Sequence, residues 1–152
     1  MNEPSISNPK GLGRRLAFAG ALAVGAALAI GELLAGVIPG VPSPLLAVAR
    51  FIVDIQPPGA KELVVALFGD ADKVAFQIFI ILVAMGVGAA LGRLTPKRPD
   101  LGAAVMVAFT GAGFLASLRD PGVVATLSVV AAAIEALAGI FLLRRLVGLA
   151  AP

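Results

Sequence analysis

The stretch Pro42–Lys73, PSPLLAVARFIVDIQPPGAKELVVALFGDADK, decides the architecture, because it is the only long segment that is neither a membrane span nor a simple polar loop. Leu45–Ile55 within it is apolar but short. As a helix it reaches roughly 17 Å, against about 30 Å of bilayer hydrocarbon, so it cannot cross. Ser43 supplies a cap and Pro44 fits the first helical position. Ser43, Ala47, Arg50 and Asp54 follow helical spacing and share one face. Pro57, Pro58 and Gly59 then break the chain, and a second short run, Leu63–Phe68, follows Lys61 and Glu62. Gly69 ends it, and Asp70 or Asp72 caps the next helix. The stretch therefore reads as two half-helices, about 44–55 and 60–68, lying at one membrane face.

Four long apolar runs surround it. They cover about 16–38, 74–91, 101–118 and 123–143. The expected fold is an all-α integral membrane protein, with four transmembrane helices and both half-helices in the extracytoplasmic loop between spans 1 and 2. Residues 1–13 read as a mobile tail, 14–147 as the membrane domain and 148–152 as a short C-terminal tail. Asp100 and Asp120 stand as caps for the third and fourth spans, with Pro121 at a first helical position. Gly88 and Gly92 form a small-xxx-small pair that permits close helix approach. Arg14-Arg15 suggests a twin-arginine signal, but the apolar run that follows is far longer than a signal core.

Composition excludes several functions. The chain of 152 residues is 59% hydrophobic and 14% charged, with a mean hydropathy of +1.01, outside the range of soluble domains. The basic residues sit at the ends of apolar runs and form no nucleic-acid-binding stripe. Absence of Cys and His removes disulfides, zinc-type metal sites, a thiol nucleophile and the usual haem ligand. No catalytic, cofactor-binding or metal-ligating set is expected. The positive-inside rule orients the bundle. Lys10, Arg14, Arg15, Arg93, Lys97, Arg98, Arg144 and Arg145 fall on one side, against Arg50, Lys61, Lys73 and Arg119 on the other. Both termini are thus expected in the cytoplasm of a prokaryotic plasma membrane.

Two acids fall within spans, Glu32 and Glu135. A charged acid at a helix centre costs roughly 2.5–3.5 kcal/mol on the insertion scale, so each must face protein, pair, or stay protonated. The simplest arrangement is a buried Glu32–Arg50 pair that holds the first half-helix down, with Asp54 nearby. Glu135 is then a neutral acid hydrogen-bonded between helices, and Ser128 shares its helix face. The sharper alternative is a proton or cation path through Glu32 and Glu135.

Gly31-Glu32-Leu33, Ser43-Pro44, Val53-Asp54, Pro57, Lys61-Glu62 and Phe68-Gly69-x-x-Asp72-Lys73 together resemble the N-terminal membrane domain of actinobacterial sulfite-oxidase-like, molybdopterin-dependent oxidoreductases. The likeness covers about Arg14 to Val147. In that family a further span and an extracytoplasmic catalytic domain follow. The chain stops before either and lacks the molybdenum-binding cysteine. The resemblance therefore implies a non-catalytic anchor or docking unit, carrying no cofactor itself, with an extracytoplasmic molybdopterin oxidoreductase as partner. Lys61, Glu62, Leu67, Phe68, Asp70, Asp72 and Lys73 are the expected outer docking surface, mixed charge around an apolar centre. The other partners are the lipid bilayer and, as an open option, further copies of the chain. A second reading is a small transporter, because four spans with a glutamate in the first are similar to small multidrug transporters. Against it stand the long Pro39–Lys73 connection and the absence of Trp and Tyr.

Single-cysteine labelling tests the topology cleanly, since there is no native Cys. Cysteines at Asn8 and Leu149 are expected to label only from the cytoplasmic side. Labelling of either from outside would overturn the orientation.

Overall fold

The computed structural model describes residues 9–55, 72–120 and 122–151. Five helices are formed there: α1 (Pro9–Val37), α2 (Pro44–Ile55), α3 (Asp72–Leu94), α4 (Pro99–Ser117) and α5 (Ala125–Ala150). No strand occurs among the described residues. All except α2 contain stretches long and apolar enough to cross a membrane: Gly11–Val37, Val74–Leu94, Pro99–Ser117 and Ala125–Ala150. The chain is thus an all-helical, multi-pass membrane protein with a short helix between its first two spans. The half-helix expected at 60–68 and the docking residues Lys61, Glu62, Leu67, Phe68 and Asp70 lie outside the described residues, as do the side chains of Asp72 and Lys73.

Several expected boundaries move. α1 begins at Pro9, so residues 9–13 are helix rather than tail. The Arg93 guanidinium helps to hold this first turn by donating from Nε to the Gly13 carbonyl at 3.2 Å. α5 runs through Arg144 and Arg145 to Ala150. Asp100 lies in the first turn of α4, whose N-cap is Arg98 without a side-chain bond. Asp120 does not cap α5 either, because that helix starts at Ala125 after Val124. Its carboxylate is engaged elsewhere, with Arg50.

The interior mixes alanines with Leu16, Val24, Leu91, Met106 and Leu143, while many large apolar side chains lie on the periphery. Ala19, Ala23 and Ala27 of α1, Ala84 of α3 and Ala131 and Ala136 of α5 are buried. Phe18, Leu33, Phe79, Leu82, Leu115, Leu137 and Phe141 point outward. In lipid there is no hydrophobic gain from hiding leucine, so helices associate through close packing of small residues. α1 is central and packs against both α3 and α5, while α4 packs against α5 and α2.

The α1–α3 crossing is the tightest point. Gly88 and Gly92 of α3 meet Gly20 of α1, backbone against backbone. A Cβ on Gly92 would fall on the Leu16 carbonyl oxygen, and one on Gly20 on the Gly88 carbonyl oxygen. The small-xxx-small pair thus has its partner, a glycine on the first span. By contrast, Gly86 has open space around it. Gly20→Ala or Gly92→Ala should therefore force α1 and α3 apart and lower the melting temperature in detergent. Gly86→Ala should leave it unchanged or raise it, since alanine is the better helix former. Equal effects at all three positions would refute this packing.

Candidate functional site

The chemistry-bearing side chains gather at the end of the bundle where α2 joins it. Ser43 is the N-cap of α2, and the N–H groups of its first turn have a complete set of partners. Pro44 has none to satisfy. The Leu45 N–H donates to Glu32 Oε1 at 2.8 Å, the Leu46 N–H to Ser43 Oγ at 3.1 Å, and the Ala47 N–H to the Ser43 carbonyl at 2.9 Å. The Ser43 hydroxyl in turn sits 2.8 Å from both carboxyl oxygens of Glu32. A carboxylate reaching across from α1 thus caps α2, at the end where the helix dipole favours negative charge.

This replaces the expected Glu32–Arg50 pair. Glu32 belongs to the start of α2 and Arg50 to the turn after α4, where its guanidinium pairs with Asp120. Four residues after Asp120, the Val124 N–H donates to the Gly40 carbonyl at 3.1 Å. Gly40 adopts a positive φ of 89°, and a Cβ there would meet Val124 Cγ2 at 2.9 Å. Three separate contacts therefore fasten the α1–α2 connection to its surroundings: a carboxylate cap, an ion pair and a backbone hydrogen bond.

Outward from these contacts lies an open depression of about 400 Å3, bordered by Arg50, Phe51, Asp54, Gln77, Arg119 and Asp120. The Arg119 guanidinium lies over the Phe51 ring, 5.5 Å from its centroid. Asp54 is exposed at its edge rather than buried in the apolar layer. Ala47 is 1% exposed, so the row Ser43, Ala47, Arg50, Asp54 runs from the interior of the bundle out to its surface.

Inward lies a smaller cavity, and Glu135 faces it. Glu135 is 6% exposed and packs against Gly31 and Pro44. A Cβ on Gly31 would meet Glu135 Oε2 at 2.9 Å and Pro44 Cγ at 2.7 Å. Among the described residues no side chain or backbone group hydrogen-bonds its carboxyl, so the expected interhelical bond is absent. Ser128, Thr110 and Ser117 line the same cavity. Their hydroxyls donate to their own helices: Ser128 to Val124 O at 3.1 Å, Thr110 to Met106 O at 3.1 Å and Ser117 to Phe114 O at 2.7 Å. With their protons used in this way, the hydroxyl oxygens keep lone pairs free to accept.

Ser128 was legible in the sequence as the one polar residue on the Glu135 face. Thr110 and Ser117 were missed, although a signal was present. Met106, Thr110, Gly113 and Ser117 are all buried on α4 at intervals of four, three and four, a small-and-polar stripe on a span whose other faces are apolar. No cluster of metal-ligating side chains occurs among the described residues. Comparison with protein-family models, curated proteins and solved structures finds no match.

The two polar contacts of α2 differ in weight. The Arg50 side chain is 59% exposed, and pairs of that kind contribute about 0–1 kcal/mol. Glu32 accepts from two donors at a part-buried helix start, the Ser43 hydroxyl and the Leu45 N–H, where a lost cap costs about 0.5–2 kcal/mol. Thermal unfolding in detergent should rank Glu32→Ala as more damaging than Arg50→Ala or Asp120→Ala. A double-mutant cycle should show coupling between Arg50 and Asp120 and additivity between Glu32 and Arg50. Coupling of Glu32 to Arg50 would restore the direct pair.

Proposed function

We propose that the protein is a non-catalytic membrane unit that presents the α2 end of its bundle to an extracytoplasmic partner. The partner class is the sulfite-oxidase-like molybdopterin oxidoreductase implied by the resemblance of Gly31-Glu32-Leu33, Ser43-Pro44 and Phe68-Gly69-x-x-Asp72-Lys73. The observation that carries this reading is the fixed position of α2. A helix too short to cross is tied to α1 through Glu32 and to the α4–α5 turn through Arg50. It borders an open depression with Asp54, Arg119 and Phe51 on its rim. Mixed charge around an apolar centre suits a rim-and-core contact. The basic bias of the sequence supports an orientation with that end outside the cytoplasm. Glu32, whose oxygens are occupied by Ser43 and Leu45, is poorly placed to serve as a transporter's exchange site.

Affinity purification from native membranes tests the assignment. Wild type should retain an extracytoplasmic molybdopterin oxidoreductase. Asp54→Lys on the depression and Phe68→Ala in the sequence between α2 and α3 should each reduce recovery. A hot-spot truncation costs about 2 kcal/mol or more, roughly thirtyfold in affinity. Absence of such an enzyme from the wild-type preparation would end the docking reading. Equal recovery with both variants would move the contact to another surface.

A further inference from the structure

We propose that the inner cavity is a hydrated proton half-channel, leading from the α2 end of the bundle to Glu135, which takes up and releases the proton at its blind end. The site is separate from the docking depression and does not depend on the partner.

Depth is the first support. Glu135 is the eleventh residue of α5, about 15 Å along the helix from its start at 1.5 Å per residue. That is about half of a 30 Å hydrocarbon layer. A carboxyl at mid-depth with no protein hydrogen-bond partner among the described residues is costly unless something else satisfies it. The residues around it supply no cation. α1 contributes Leu28 and Gly31, with the already engaged Glu32 next in sequence; α2 contributes Pro44, Leu45 and Val48; α3 contributes Ile80 and Ala84. Among the described residues the cations at this end, Arg50 and Arg119, border the outer depression, and Arg50 pairs with Asp120.

Space is the second. The cavity offers about 40 Å3 to the centres of water molecules. One water needs roughly 10–15 Å3 on that measure, so about three fit. The polar groups are spread along it rather than gathered at one point. Ser128 and Glu135 are seven residues apart, as are Thr110 and Ser117, which corresponds to about 10.5 Å on each helix. α4 and α5 are joined by a short turn and run antiparallel. Ser117 and Ser128 therefore lie toward the turn, and Thr110 and Glu135 deeper. Oxygens at two levels suit a file of waters better than the compact shell that a sodium ion requires.

Closure is the third. Beyond Glu135 the core is dense and apolar: Met106 is 3% exposed and Leu143 1% exposed. At Gly139 even a Cβ would meet Met106 Cε at 2.5 Å. At the other end Val41 and Pro42 line both the cavity and a shallow surface depression bordered by Arg50 and Asp120. These shared residues put the mouth of the cavity at the α2 face. Among the described residues no cavity continues past this apolar layer, so the half-channel is open to protons from the α2 side alone.

Infrared spectroscopy of the full chain in lipid nanodiscs reads the proton directly. The expected result is a protonated-carboxyl carbonyl band that falls reversibly as pH rises and shifts on transfer to D2O. It should vanish in Glu135→Gln and persist in Glu32→Gln. Should Glu135→Gln fail to fold, 13C-glutamate labelling in a Glu3→Gln, Glu32→Gln, Glu62→Gln background, which leaves Glu135 as the one glutamate of the chain, assigns the band instead. Gly113 lines the cavity and has open space around its Cβ position. Gly113→Leu should therefore displace the waters and slow the D2O shift while leaving helicity unchanged. Absence of a Glu135 band at every pH would overturn the proposal, as would a band that neither titrates nor exchanges. An exchange rate in Gly113→Leu equal to wild type would remove the cavity as the route.

Discussion

The carboxylate of Glu32 at the first turn of α2 is the contact on which the arrangement of this molecule turns. A helix that starts inside an apolar layer exposes backbone N–H groups that water cannot reach, and each unsatisfied group costs several kcal/mol there. Proline at the first position removes one donor, serine at the cap takes another, and Glu32 takes the third from a neighbouring span. The result is a short helix that can begin below the membrane surface and rise outward to Arg50 and Asp54. Without an acceptor supplied by α1, the same twelve residues would be driven to the interface as an amphipathic helix.

That placement has consequences for the bundle as a whole. Because α2 occupies space beside α4, its apolar residues Leu45 and Val48 wall off the cavity in front of Glu135. The same helix thus separates two environments. On its outer side are charges of both signs and an open depression; on its inner side are three hydroxyls, one carboxyl and room for water. α1 makes this geometry possible from the opposite end. Its glycine contact with α3 brings the two backbones together at Gly20, and a fixed α1 holds Gly31 and Glu32 at the start of α2.

The helical architecture was readable because membrane spans announce themselves by length. Four apolar runs can hardly be anything else, and the eleven-residue, mostly apolar run after Pro44 is too short to cross. The start of α2 was readable too, since Ser43-Pro44 is a local signal. Partner choice was not. Glu32 and Arg50 were matched by sign and depth, yet a carboxylate gains more from two short bonds at a helix start than from an arginine whose long side chain reaches the surface. Asp120 looked like a cap because it precedes Pro121-Gly122, but the helix begins only at Ala125, leaving the carboxylate to Arg50. Such choices depend on which elements meet, and that is not written in any local window. Charges mark the ends of the apolar runs but not of the helices, because α1 and α5 continue through arginines that extend toward the headgroups.

The small-and-polar stripes of α4 and α5 show where a sequence reading of a membrane protein should look next. In a soluble helix the buried face is the apolar one, so serine and threonine at core spacing would be an anomaly. In lipid the large apolar residues are outside and the interior is free to be small and polar. Thr110, Gly113 and Ser117 then form a face, as do Ser128, Ala131, Glu135 and Gly139. Two such faces on consecutive antiparallel spans must meet if α4 and α5 pack, and they do. The pairing places Ser117 near Ser128 and Thr110 near Glu135 in register, because both intervals are seven residues. A lone glutamate in a span reads as an isolated cost. Together with a matched stripe on the next helix it marks a lined interior, which is why the carboxyl can remain at mid-depth without a cation to hold it.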